Sequence, residues 1–116
     1  MKIQMKRIYE AREKEDGIRI LVDRLWPRGI SRERAGVDLW IKEIAPSESL
    51  RKWFSHDPER WEEFKKRYFD ELDSSEKLLD EVRVALRKGK VTLLYASKET
   101  RYNNAAALIE YLTNRM

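Results

Sequence analysis

Arg19-Ile20-Leu21-Val22-Asp23-Arg24-Leu25-Trp26-Pro27-Arg28-Gly29 is the stretch on which the fold turns. Ile18 and Ile20 to Val22 form a short apolar, partly β-branched run, the pattern of a strand buried on both faces of a helix-covered sheet. The run then stops at Asp23, Arg24 and Arg28, and Pro27 with Gly29 forces a turn, so a buried strand empties into a charged loop. In open α/β sheets the carboxyl end of a central strand is where ligands bind. Two guanidinium groups beside a carboxylate and an indole suit recognition of an oxyanion, because arginine forks match such groups bidentately. The competing reading is structural: Asp23 pairs with Arg24 or Arg28, and Trp26 packs as a lid on the core.

Outward from this stretch, residues 1–8 alternate Ile3, Met5 and Ile8 with Lys2, Gln4, Lys6 and Arg7, as a half-exposed edge strand does, with lysines that discourage edge pairing. Asp16-Gly17 is a turn feeding the central strand. Ser31 caps a helical turn through residues 32–35 that Gly36 ends. Residues 37–44 fit a strand or a helix, and the strand is the reading adopted. Ser47 starts a short helix carrying Leu50, Trp53 and Phe54, and Asp57-Pro58 starts another whose Trp61, Phe64, Tyr68 and Leu72 share a stripe. Asp73-Ser74-Ser75-Glu76 reads as a capping box for a helix with Leu78, Leu79, Val82, Ala85 and Leu86 inward, ended by Gly89 in the left-handed conformation. Residues 91–95 are the second buried strand, and a final helix from about Tyr102 or Asn103 carries Ala105, Leu108, Ile109 and Leu112.

A right-handed crossover through the helical middle sets the second strand parallel to the first. The pattern predicts an α/β fold: a small open, mostly parallel sheet of about four strands flanked by helices, as one domain over residues 1–116. The loop after Asp23 and the loop over residues 96–104 then open at the same edge of the sheet.

Composition limits the chemistry. Charged residues make up 40% of 116, with 25 Lys and Arg against 21 Asp and Glu, so the net charge is only +4 and the signs interleave. Nucleic acid is therefore a weakly supported partner despite a sequence pI of 9.4. Absence of Cys excludes disulfides and a thiol nucleophile, and a single histidine, His56, excludes a multi-histidine metal centre. Neither a metal nor a cofactor is expected. Without a leader or a run of about 18 apolar residues, the expectation is a soluble cytoplasmic protein with no membrane partner. High charge with a single Gln matches compositions of heat-adapted proteins.

The candidate ligand-binding residues are Arg24, Trp26 and Arg28 from the first loop with Ser97, Lys98, Asn103 and Asn104 from the second. The start of the last helix adds unpaired amide donors. Asp23 and His56 are the candidate proton-transfer residues, His56 because its ordinary pKa lies near neutrality. Each has a plainer alternative: Asn103 or Thr100 caps the helix, Lys98 is solvated, and His56 sits on the surface ahead of a helix.

Residues 16–29, Ile44-Ala45-Pro46-Ser47, Trp53-Phe54-Ser55-His56-Asp57-Pro58, Leu93-Leu94-Tyr95-Ala96-Ser97-Lys98 and Asn103-Asn104-Ala105 together resemble the YeaO-like family of domain-of-unknown-function proteins. The resemblance spans nearly the whole chain and implies a small α/β domain, with no activity assigned. Longer relatives carry Cys-His-Arg where this chain has Tyr102-Asn103-Asn104, so any thiol chemistry in those relatives is excluded here. The leading functional expectation is binding of a small anionic, phosphate-bearing ligand at the strand ends, with Asp23 orienting the arginines; whether the chain also catalyses a reaction is open. The alternatives are a nucleic-acid-binding or regulatory module using Arg side chains and Trp26, and a protein-interaction domain.

Overall fold

The computed structural model describes residues 2–114. Four strands, β1 (Ile3–Arg7), β2 (Ile18–Leu21), β3 (Leu39–Trp40) and β4 (Val91–Tyr95), form one sheet in the order β1-β4-β2-β3, and every pairing is parallel. Helix α1 (Arg32–Ala35) precedes β3; α2 (Glu48–Phe54), α3 (Trp61–Asp73) and α4 (Glu76–Lys88) separate β3 from β4; α5 (Asn104–Asn114) follows β4. The expected α/β architecture with a mostly parallel sheet is the one observed.

The apolar run of β2 is buried on both faces, as its sequence requires. Ile20 and Val22 join Leu93 of β4 in a cluster built with residues of α2 to α5, including Phe64, Tyr68, Leu79, Val82 and Leu108. Leu21 and Leu94 point the other way, into a smaller cluster with Ile8, Ile30 and Ala35, covered by Trp26 and Trp40. The alternation of side chains along a strand produces this split.

Most start and stop signals hold. Ser31 and Ser47 accept from the backbone N–H of Arg34 and Leu50, and Asp57 accepts from Glu59 at the head of a 3-10 turn, Pro58–Arg60, that runs into α3. Three expectations need correction. Of residues 37–44 only Leu39–Trp40 is a strand, and Lys42–Ile44 is a 3-10 turn. Here β2 ends at Leu21 and Pro46 lies close ahead, while Ile41 and Ile44, both buried, reach the core at helical spacing. No capping box forms at Asp73: that residue belongs to α3 and accepts from the Tyr111 hydroxyl at 2.6 Å, and Ser75 makes no side-chain cap to α4. Gly89 ends α4 at φ 157°, ψ −155°, a glycine-only conformation rather than the left-handed helical one.

One feature of β2 goes beyond its apolar pattern. Arg19 is fully buried, and its guanidinium donates to Asp16 Oδ2 at 2.7 Å, to the Ala35 carbonyl at 2.7 Å and to the Gly36 carbonyl at 3.2 Å. Asp16, also buried, accepts from Lys6 Nζ at 3.1 Å and from the Glu13 amide at 3.0 Å. Burial opposes the charge on Asp16, but the Glu13 amide, Arg19 and Lys6 outweigh it and hold the carboxyl below its ordinary pKa. The network ties β1, β2 and the turn after α1 at the edge opposite the strand ends. Gly17 makes this turn possible: at φ 66°, an added Cβ would stand 2.1 Å from the Lys90 carbonyl oxygen.

Candidate functional site

The two loops do open at one edge. Leu21 of β2 and Leu94 of β4 are register partners, the Val22 amide donates to the Leu94 carbonyl at 3.1 Å, and both chains then leave the sheet side by side. Between these exits and α2 lies a cavity of about 530 Å³. Asp23, Arg24, Trp26, Arg28, His56, Ser97 and Asn104 all line it, so seven of the nine candidates named from sequence are brought together. Lys98 is exposed and does not line the cavity. Asn103 is fully buried and serves as the cap of α5: its Oδ1 accepts from the Ala106 amide at 2.8 Å and its Nδ2 donates to the Glu99 carbonyl at 2.9 Å. An amide expected to face an anion is thereby taken by a side chain.

Asp23 is a tie between loops and does not orient the arginines. Its Oδ2 accepts from the Ala96 amide at 2.8 Å and its Oδ1 from Asn104 Nδ2 at 3.2 Å, while its carbonyl accepts from Trp40 Nε1 at 2.7 Å. Asn104 also donates to the Val22 carbonyl at 3.0 Å. Burial raises the Asp23 pKa above the ordinary carboxylate value, against the pull of the Ala96 amide, the Asn104 amide and the charge of nearby His56.

The arginines differ in their commitments. Arg24 Nη2 donates to the Ala45 carbonyl at 3.1 Å and reaches the Pro46 carbonyl at 3.4 Å. Arg28 uses only its carbonyl, which accepts from the Tyr9 hydroxyl at 2.7 Å. Arg51, on the cavity side of α2, is a third guanidinium on the same wall. Among the described residues neither Arg28 nor Arg51 has a side-chain ion pair or hydrogen bond. Against these cations the cavity lining carries the carboxyls of Asp23 and Glu48, and Glu48 is already paired with Lys52 at 3.3 Å. The wall is left with excess positive charge.

His56 arrives by an unusual route. After α2 the chain passes through two consecutive non-glycine residues at positive φ, Ser55 at 46° and His56 at 54°. Such conformations cost on the order of 1–3 kcal/mol each and persist where the surroundings over-determine them. Ser55 closes α2 by donating its amide to the Arg51 carbonyl at 3.1 Å, and the turn sets the imidazole 5.7 Å from the Phe54 ring with Nδ1 3.4 Å from the Tyr102 carbonyl. Its sequence neighbour Asp57 is occupied in capping the next turn.

Trp26 and Ser97 have structural duties as well. Trp26 Nε1 donates to the Ile30 carbonyl at 2.8 Å, its ring meets Trp40 edge-on at 5.6 Å, and the Arg32 guanidinium sits over it at 4.6 Å. The Ser97 hydroxyl accepts from the Glu99 amide at 2.9 Å. Sequence reasoning missed three residues here: Arg51, Tyr9 and Arg7. Arg7 donates to the Ser97 carbonyl at 2.9 Å and the Ala96 carbonyl at 2.8 Å, pinning the second loop from β1. Arg51 stands four residues after the helix cap Ser47, the one signal that could have marked it.

Among the described residues no cluster of His, Cys, Asp and Glu could hold a metal ion, and no helix is long and apolar enough to cross a membrane. No solved structure matches the chain significantly. An uncharacterized protein of Mycobacterium tuberculosis, Rv3073c, is 40% identical over 114 residues, covering 98% of this chain and 96% of that one. The uncharacterized protein YeaO of Escherichia coli is 43% identical over 112 residues, 97% of each chain. Residues 2–116 match the family DUF488-N3i, described as the inactive DUF488-N3 subclade, and with these relatives covered almost end to end the chain belongs to that YeaO-like family.

Proposed function

We propose that this protein binds a small anion-bearing ligand in the cavity at the carboxyl ends of β2 and β4, with Arg24, Arg28 and Arg51 as the anion-holding groups. One observation carries this reading: two guanidinium groups, Arg28 and Arg51, line a cavity with no carboxylate partner among the described residues, beside an Arg24 anchored only to backbone carbonyls. Guanidinium groups that face one cavity with no carboxylate paired to them have donors free for an oxyanion, which charge-assisted hydrogen bonds would hold. The description of the family as inactive and the lack of any cysteine both support binding over covalent catalysis. The packing of Trp26 between Arg32 and Trp40 argues against its use as a base-stacking platform for nucleic acid.

Titration with phosphate and sulfate, followed through backbone amide NMR shifts, tests the site. Affinity in the millimolar range is expected, because two or three charge-assisted bonds at roughly 1.5–3 kcal/mol each are offset by the cost of association. Shifts should cluster in residues 24–29, 48–56 and 96–97, weaken as salt rises, and vanish in the Arg28→Ala, Arg51→Ala double variant. Shifts scattered over α3 and α4 and indifferent to that variant would refute the proposal.

A further inference from the structure

The same cavity has a second character that an inorganic anion does not use. At about 530 Å³ it falls within the range of small-molecule sites, roughly 300–1,000 Å³, and is far larger than a phosphate ion fills. Four rings are among its lining residues: Phe54 and Phe64, stacked at 4.3 Å with 22° between planes, and the prolines Pro27 and Pro46. Its lining includes Leu25, at 76% the most exposed large hydrophobic side chain among the described residues, together with Tyr9 at 39%. Exposed apolar side chains gathered at a pocket mouth mark a surface that a ligand covers.

Polarity is also ordered by depth. Arg24, Arg28 and Arg51 are exposed, whereas Asp23 is tucked against the strand exits, where its carboxylate has acceptor capacity beyond the Ala96 and Asn104 donors. A ligand reaching from the exposed mouth to the strand exits passes guanidinium groups, apolar rings and a carboxylate acceptor.

Resting on the anion-site reading above, we infer that the ligand is a phosphate monoester carrying a planar aromatic ring with an N–H donor, the chemistry of a nucleoside monophosphate. The phosphate lies on the arginines, the ring lies against the Phe54, Pro27 and Pro46 walls under Leu25, and an exocyclic amino N–H on the ring donates to Asp23. Several guanidinium groups suit a phosphate dianion better than a single carboxylate.

Calorimetric titration of the wild type and of Leu25→Ser with inorganic phosphate, ribose 5-phosphate, adenosine, AMP and CMP decides the matter. Leu25 is too exposed for its replacement to disturb the fold. AMP or CMP should bind at least about tenfold more tightly than ribose 5-phosphate, and Leu25→Ser should erase much of that preference while leaving ribose 5-phosphate unchanged. Equal affinity for phosphate, ribose 5-phosphate and the nucleotides overturns the aromatic-ring inference and leaves the anion site standing. Adenosine binding as tightly as AMP, or no binding by any of the five, overturns both.

Discussion

Replacing Asp16 with Asn keeps the shape of the side chain and removes one charge from the buried network beneath β2. Arg19 is left with no exposed surface, two backbone carbonyls and a neutral amide where a carboxylate stood at 2.7 Å. Lys6, whose side chain is 11% exposed, keeps the Ala11 carbonyl and, as its charged partner, Glu13, which is itself 65% exposed. Breaking a buried pair by removing one partner costs about 3–5 kcal/mol, because the remaining charge is uncompensated. An unfolding entropy of about 2.1 cal/mol/K per residue gives about 0.24 kcal/mol/K for a chain of 116 residues, so the melting temperature should fall by roughly 12–21 °C. Urea unfolding at a series of pH values measures the loss and its origin together. The Asp16 carboxyl is held below its ordinary value of 3.8, so its contribution is complete above that pH and disappears as pH falls through the lower folded-state value. The gap between wild type and Asp16→Asn should therefore be full at pH 7 and narrow below about pH 4. A loss under about 1 kcal/mol at pH 7, or a gap that does not change with acid, would show that the pair does not stabilise the fold through charge.

Leu93, fully buried in β4, should cost about 2–5 kcal/mol on truncation to Ala, read from denaturant unfolding at constant m value; under about 1 kcal/mol would mean that the centre of the core lies elsewhere. Gly17→Ala should be at least as damaging as a large core truncation, because the new Cβ meets the Lys90 carbonyl at 2.1 Å and the backbone sits at φ 66°; a variant that melts with the wild type would show that the β2 entry can be rebuilt.

Strands β2 and β4 and the shared edge were legible because they follow from local rules: an apolar run without alternation, a proline and glycine turn, and the handedness of a crossover. The capping serines were legible for the same reason. The fate of Arg19 was not, because nothing local tells a charged residue in an apolar strand that a carboxylate at i−3 will fold back across Gly17 to meet it. Asp23 and Asn103 show the converse limit: both were correctly placed at the loops, yet their partners depend on tertiary position. Asp23 finds the Ala96 amide 73 residues away rather than the arginines beside it, and Asn103 turns into its own helix. Arg51 escaped notice because it lies in a different sequence region from the two loops, and only the packing of α2 against the strand exits brings it to the cavity.

The bonds that shape the cavity and the cations that face it are largely different sets of groups. Asp23 joins the two strand exits to α5, Arg7 fixes the second loop by two carbonyls, and Tyr9 holds the carbonyl of Arg28. On the far wall Glu71 accepts from both the amide and the hydroxyl of Ser47, and the Tyr68 hydroxyl donates to the Ile44 carbonyl at 2.7 Å. Burial raises the pKa of that phenol, which keeps it a donor throughout the neutral range. None of these contacts uses the guanidinium of Arg28 or Arg51. Were the arginines structural, removing both would loosen the loops; with the loops held by other groups, Arg28→Ala with Arg51→Ala should leave the melting temperature within a few degrees of wild type, since surface substitutions away from such anchors usually stay within about 0.5 kcal/mol. A wall whose shape is fixed before a ligand arrives loses little entropy on binding, so on the proposed reading the ordering cost of taking up an anion is confined to the exposed arginine side chains themselves.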